Sequence, residues 1–119
     1  MAGCNKAFGI VLAALLTMCA TGARAAGGAA ADGLALASQR QCLGCHQVDA
    51  RRVGPPFRAI AERFQGRKES ADHLARAMRE GSRGQWGAIP MPAQPRLSDI
   101  EAQRLALWIL SLKDTPAAD

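Results

Sequence analysis

Apolar residues recur at helical spacing through much of the second half of the chain. Phe57, Ile60, Ala61 and Phe64 stand at steps of 3, 4 and 7, one face of an α-helix, and predict a helix ending near Gly66. Leu74, Ala77 and Met78 share a face of the next helix, with Ser70 as its cap and Gly81 as its stop. Leu105, Trp108, Ile109 and Leu112 form the stripe of a last helix, which ends around Lys113 before Pro116. Ser98-Asp99-Ile100-Glu101 opens it as a capping box. A first helix, capped by Asp32 and running to about Gln41, has no strong apolar period and rests on its cap. Gly54-Pro55-Pro56 forbids helix before Phe57, and residues 82–97 hold too many glycines and prolines for regular structure. Neither strand alternation nor an internal repeat is visible. The expectation is all-α: four short helices joined by loops.

The amino-terminal stretch changes how the rest is read. Lys6 charges its start, Ala7 to Ala20 is almost wholly apolar, and Ala23-Arg24-Ala25 offers a cleavage site. Residues 1–25 read as a secretory signal and residues 26–119 as one mature domain. The apolar run is short for a membrane span, which needs about 20 residues. An uncleaved anchor, or a lipid-modified Cys19 behind the bulky Met18, fits less well, so no stable membrane insertion is expected after processing. Cleavage removes Cys4 and Cys19 and leaves Cys42 and Cys45, too close together to staple a fold. It also removes Lys6 and Arg24, taking the net charge from +5 to +3. The remaining basic side chains are scattered without interleaved aromatics, which argues against nucleic acid. With few aromatics and no Tyr, the domain's own core would be modest.

The chemistry is concentrated in Cys42-Leu43-Gly44-Cys45-His46. In C-x-x-C-H the two thiols are spaced to form thioethers with the two vinyl groups of one heme. The adjacent imidazole then lies under the iron as an axial ligand. A heme would also supply the missing apolar centre. A thioredoxin-like dithiol would need a βαβ pattern, and none is visible. A zinc module using Cys42, Cys45 and His46 lacks a convincing fourth ligand.

The second feature is Ile89-Pro90-Met91-Pro92, 45 residues beyond His46 at its methionine. Flanking prolines fix the backbone and can hold a thioether in place. By itself this Met is as readily an apolar filler as a ligand. Beside C-x-x-C-H, the sixth iron ligand is the better reading, giving His/Met coordination and a raised reduction potential. Met78, on a helical stripe, reads as core, and His73, off the Leu74 face, as a solvated side chain.

From about Asp32 to Lys113 the chain resembles the small class I bacterial cytochromes c of the cytochrome c-551 type. The resemblance rests on Cys42-x-x-Cys45-His46, Val53-Gly54-Pro55, Trp86-Gly87-Ala88-Ile89-Pro90-Met91-Pro92 and Asp99-Ile100-Glu101-Ala102-Gln103, in family order and spacing. It implies the class I cytochrome c fold wrapped around one covalently bound heme c. It implies that the Pro55 carbonyl accepts a hydrogen bond from the His46 ring, and that Trp86 donates its indole N–H to a heme propionate. Plain core packing is the alternative for Trp86. Three positions depart from the family pattern. Gln94 stands where an Asn often bonds near the ligand sulfur. Ala77 stands where a basic residue often pairs with a propionate, with Arg76 and Arg79 on other faces of the helix. Arg51-Arg52 falls where the loop nears the heme edge, and solvated surface is the simpler reading there.

With both axial positions filled there is no place for a substrate, so the expectation is an electron carrier and not an enzyme. It would be a periplasmic monomer shuttling single electrons between redox proteins, a donor upstream and a terminal reductase or oxidase downstream. The heme edge would stay exposed near Val53 and the loop from Ile89 to Gln94. A subunit of a larger oxidoreductase is a second reading. A gas-binding heme protein is a third, although four-helix bundle proteins of that kind usually carry the motif near the C-terminus.

Overall fold

The computed structural model describes residues 25–117 as four helices: α1 (Ala25–Gln39), α2 (Phe57–Phe64), α3 (Ser70–Glu80) and α4 (Asp99–Ser111). A 3₁₀ turn at Cys42–Gly44 carries the cysteine motif, and another at Leu112–Asp114 extends α4. The predicted signal lies outside the described residues, apart from Ala25. No helix among the described residues is long and apolar enough to cross a membrane.

α4 is the central element, and α1, α2 and α3 each pack on it. Its stripe is buried as the spacing requires: Leu105, Trp108, Ile109 and Leu112 face the core. The capping box forms, with Ser98 Oγ accepting from the Glu101 N–H and the Glu101 carboxylate accepting from the Ser98 N–H at 3.0 Å. From α2 come Phe57, Ile60, Ala61 and Phe64, and from α3 Leu74, Ala75 and Met78. Ala77 is half-buried on the same side of α3 as Met78 and lines the site described below.

Two helix starts differ from expectation. Asp32 is exposed within α1, not at its cap, because Ala29-Ala30-Ala31 directly before it favour helix. Ser70 does not cap α3 either. Glu69 takes that position in the left-handed region (φ 61°), and the buried Ser70 hydroxyl lies 2.8 Å from the carbonyls of both Phe64 and Arg67. It closes the turn between α2 and α3 instead of accepting from its own helix.

The contact between α1 and α4 depends on an absent side chain. A Cβ on Gly33 would lie 2.0 Å from Trp108 Cγ, so the α1 backbone rests on the indole. Leu36 and Ala37 continue this face. Farther along, Arg40 and Glu101 form an ion pair that ties the end of α1 to the start of α4. Arg58 holds the opposite end: its Nε donates to Asp49 Oδ1 at 2.6 Å and its Nη1 to the Thr115 carbonyl at 2.6 Å.

Candidate functional site

The cysteine turn is set by backbone bonds before any ligand is considered. Gln41 adopts the left-handed conformation (φ 61°), and the Cys45 and His46 N–H groups both donate to the Cys42 carbonyl, at 3.1 and 2.9 Å. Cys42 is half-buried, Cys45 exposed and His46 buried. Burial pushes the Cys42 thiol up; a backbone hydrogen bond partly opposes this and the nearby Cys45 adds to it.

His46 is held from three sides. Its Nδ1 lies 2.8 Å from the Pro55 carbonyl. A carbonyl can only accept, so Nδ1 carries the proton and Nε2 keeps its lone pair. Phe57 stacks on the ring with centroids 5.2 Å apart, and Trp108 meets Phe57 edge-on at 5.1 Å. Gly54 lies against the ring, where a Cβ would come within 2.4 Å of Cε1. The loop that supplies Gly54 and Pro55 is tied down at both ends, by Gly54 N–H to Cys45 O (2.8 Å) and Phe57 N–H to Gln47 O (2.9 Å).

Met91 is fixed by its backbone. It exchanges both ladder bonds with Ser82 (3.0 and 2.9 Å), the one β-bridge among the described residues. Three residues on, the Gln94 N–H donates to Met78 O at 3.0 Å. Gly81 makes this approach possible: its φ is +82°, and a Cβ there would stand 2.8 Å from the Met91 carbonyl. The Gln94 side chain turns to the Pro92 carbonyl at 3.3 Å.

Cys42, Cys45, His46, Pro55, Trp86 and Met91 all line one cavity of about 380 Å³. Its remaining walls are largely apolar, with Ile60 and Phe64 from α2, Leu74 and Met78 from α3, and Leu105 and Ile109 from α4. At its mouth stand Val53, 50% exposed, and Ile89, 67% exposed, with Arg51 beside them. Arg52 does not line it; its Nη1 donates to the Leu43 carbonyl at 3.2 Å and braces the cysteine turn. Trp86 is half-buried, with the Arg63 guanidinium 4.5 Å from its ring centroid.

The family model for cytochrome c matches residues 30–113. The chain belongs to the cytochrome c family. It is 44% identical over 101 residues to cytochrome c-551 of Pseudomonas aeruginosa, covering 84% of this chain and 96% of that one. With cytochrome c-552 of Hydrogenobacter thermophilus it shares 45% identity over 78 residues, 66% of this chain and 79% of the other. The crystal structure of Nitrosomonas europaea cytochrome c552 superposes with a TM-score of 0.66 at 42% identity, over 67% of this chain and 99% of that one. This is a small class I monohaem cytochrome c, an electron carrier, and such a cytochrome implies redox partners.

As a cytochrome c it carries one covalently bound heme c, and the cavity fits that group. Two thiols lie at the wall, an imidazole with its lone pair on Nε2 is held by Pro55, and the surrounding side chains are apolar where a porphyrin face would rest. Three supports of this site have no signature in the sequence: the close approach of Gly54, the Met91–Ser82 bridge and the Arg63–Trp86 stack. His73 also differs from expectation. It is not simply solvated; its ring lies 5.0 Å from that of Phe64 and its Nε2 3.4 Å from Gln85 Oε1. Of the two arginines flanking Ala77, Arg79 is paired with Asp99 and Arg76 is exposed.

Proposed function

We propose that residues 26–119, freed from a signal at residues 1–25, act in the periplasm as a monomeric carrier in which His46 and Met91 would hold the heme iron. When bound, the heme supplies a one-electron couple. The protein residues keep that couple in place. Cys42 and Cys45 anchor the group, the Pro55 carbonyl keeps the Nδ1 proton and with it the orientation of His46, and the Ser82 bridge holds Met91 against drift. Trp86 offers its indole N–H to a propionate. Ligands that are fixed in advance change little between oxidation states, which suits fast electron transfer and leaves no position for a substrate.

The carrying observation is that His46 and Met91, 45 residues apart, line one cavity, with the histidine tautomer set for Nε2 ligation. Val53 and Ile89 give the cavity mouth an apolar rim, with Arg51 as a cation beside it. Such a rim suits brief contact with an electron donor and with a terminal reductase or oxidase, through an interface at the small end of the range, below about 1,200 Å².

The test is the absorption spectrum of the exported protein and of Met91→Ala. The wild type is expected to be low-spin in both oxidation states, with the weak far-red ferric band of sulfur ligation. Met91→Ala is expected to lose that band and to have a lower reduction potential. A variant identical to wild type in both respects would remove Met91 from the iron, and a high-spin wild type would return the protein to the gas-binding class.

A further inference from the structure

Heme brings two carboxylates into a cavity whose walls are mostly apolar. Among the described residues lining it, Arg51 is the only arginine or lysine, and it stands at the mouth. Several other arginines already hold carboxylates: Arg40 pairs with Glu101, Arg58 with Asp49 and Arg79 with Asp99. Arg63, on the last turn of α2, is different. Its guanidinium lies over the Trp86 ring, 4.5 Å from the centroid, and its Nη1 donates to the Gln85 carbonyl. Trp86 and Gln85 both line the cavity, while Arg63 stands behind them. Arg63 is exposed, but a cation clamped at one end and held over a ring has less freedom than an ordinary surface arginine.

We propose that Arg63 is a positioning residue for the heme carboxylate at Trp86: it fixes the indole and places a positive charge behind it, which keeps that propionate ionised. The cation acts through Trp86 without entering the cavity. Its charge opposes proton uptake by the carboxylate and also disfavours the ferric state, so it holds the reduction potential up. The proposal rests on the heme and on Trp86 facing a propionate. It does not depend on Met91 as ligand, so the far-red band and the experiment below can fail separately.

The experiment is the reduction potential of the heme-loaded protein against pH, from pH 4 to 9, for wild type, Arg63→Gln and Arg63→Lys. Loss of the charge is expected to raise the proton affinity of the propionate about twofold to threefold, moving the inflection of the curve up by about 0.3–0.5 pH unit. Above the inflection the potential of Arg63→Gln is expected to lie below that of wild type. Arg63→Lys keeps the charge and is expected to return the inflection most of the way. Other charged or titratable groups face this corner: His73 reaches Gln85 from α3, Arg67 lies over Phe64 and Arg51 stands at the mouth. Of these, only His73 is an imidazole. All three chains are therefore also measured with His73→Gln, and an inflection that Arg63→Gln moves on both backgrounds is assigned to the carboxylate. Superimposable curves for wild type and Arg63→Gln would overturn the proposal. So would a drop of equal size at every pH that Arg63→Lys does not recover, since that is what loosened packing alone would give.

Discussion

Gly54 shows how one missing methyl group sets the geometry of an imidazole. A Cβ at this position would stand 2.4 Å from His46 Cε1 and 2.7 Å from Nδ1, far inside van der Waals contact. Neither partner has room to move, because Nδ1 is bonded to Pro55 and the ring is stacked on Phe57. Gly54→Ala must therefore turn the ring and break the 2.8 Å bond, and overpacking of this kind costs roughly 1–3 kcal/mol. At about 4–8 °C per kcal/mol, thermal unfolding of the heme-loaded variant is expected at least several degrees lower, with altered ligand-field bands. Gly44, where an added Cβ would meet nothing within 4 Å, is the control: Gly44→Ala should leave both readouts unchanged. Equal melting of Gly54→Ala and wild type would mean that the loop yields more easily than its bonds suggest. The sequence displays Cys42, Cys45, His46 and Met91 openly, since their chemistry lies in residue type and spacing. It hides Gly54, because a glycine before two prolines reads as a turn, and only the fold reveals that an imidazole from eight positions earlier occupies the space.

The same contrast runs through the helices. α2 and α4 follow from their apolar stripes, and the start of α4 follows from Ser98 and Glu101, whose reciprocal bonds are local. α1 is faint in the sequence because the face it buries is made of Gly33, Leu36 and Ala37, where the missing side chain of Gly33 lets the α1 backbone rest on the Trp108 indole. Nor can pattern find Arg58, whose partners at Asp49 and Thr115 come together only after folding. Glu101 joins the local and the distant: it caps α4 and also takes the guanidinium of Arg40 from α1. The Arg40 hydrogen bond, aided by those from Ser98, lowers its carboxyl from 4.5 to about 2. A carboxyl depressed in the folded state binds its proton more readily when unfolded, so its stabilisation is full above about pH 4.5 and is lost as the pH falls toward 2. Glu101→Gln is accordingly expected to lower stability at pH 6, with the gap from wild type closing across that acid window. Urea unfolding at pH 6, 4 and 3 reads this directly. A gap that stays constant with pH would assign the effect to capping geometry and not to charge. Because the pair is solvent-exposed, the gap at pH 6 should be small and should shrink further with added salt.

For the whole molecule the question is what completes the core. Ile60, Phe64, Leu74, Met78, Leu105 and Ile109 are buried, yet each also lines the cavity of about 380 Å³, so α2 and α3, which pack on α4, also share with it the wall of a space. At about 24 cal/mol per Å³, keeping such a space open would cost on the order of 9 kcal/mol. The stability of an entire small domain is only about 5–15 kcal/mol, so the two quantities are comparable. The heme is thus as much a part of the core as α4, which explains how a domain with no Tyr and only Phe57 and Phe64 as phenylalanines can support this fold. Cys42→Ala/Cys45→Ala, which removes both attachment points, is expected to yield a chain without fixed packing. Its near-UV circular dichroism should be lost, part of its helical far-UV signal should remain, and it should bind a hydrophobic dye. Thermal unfolding should be broad, without the sharp transition of the heme-loaded protein. A heme-free double variant that melts cooperatively within a few degrees of wild type would show that the helices collapse onto one another and that the cavity is not what limits the fold. The expected result would instead mean that the packing of α2 and α3 on α4 is held fixed only when the shared cavity is filled.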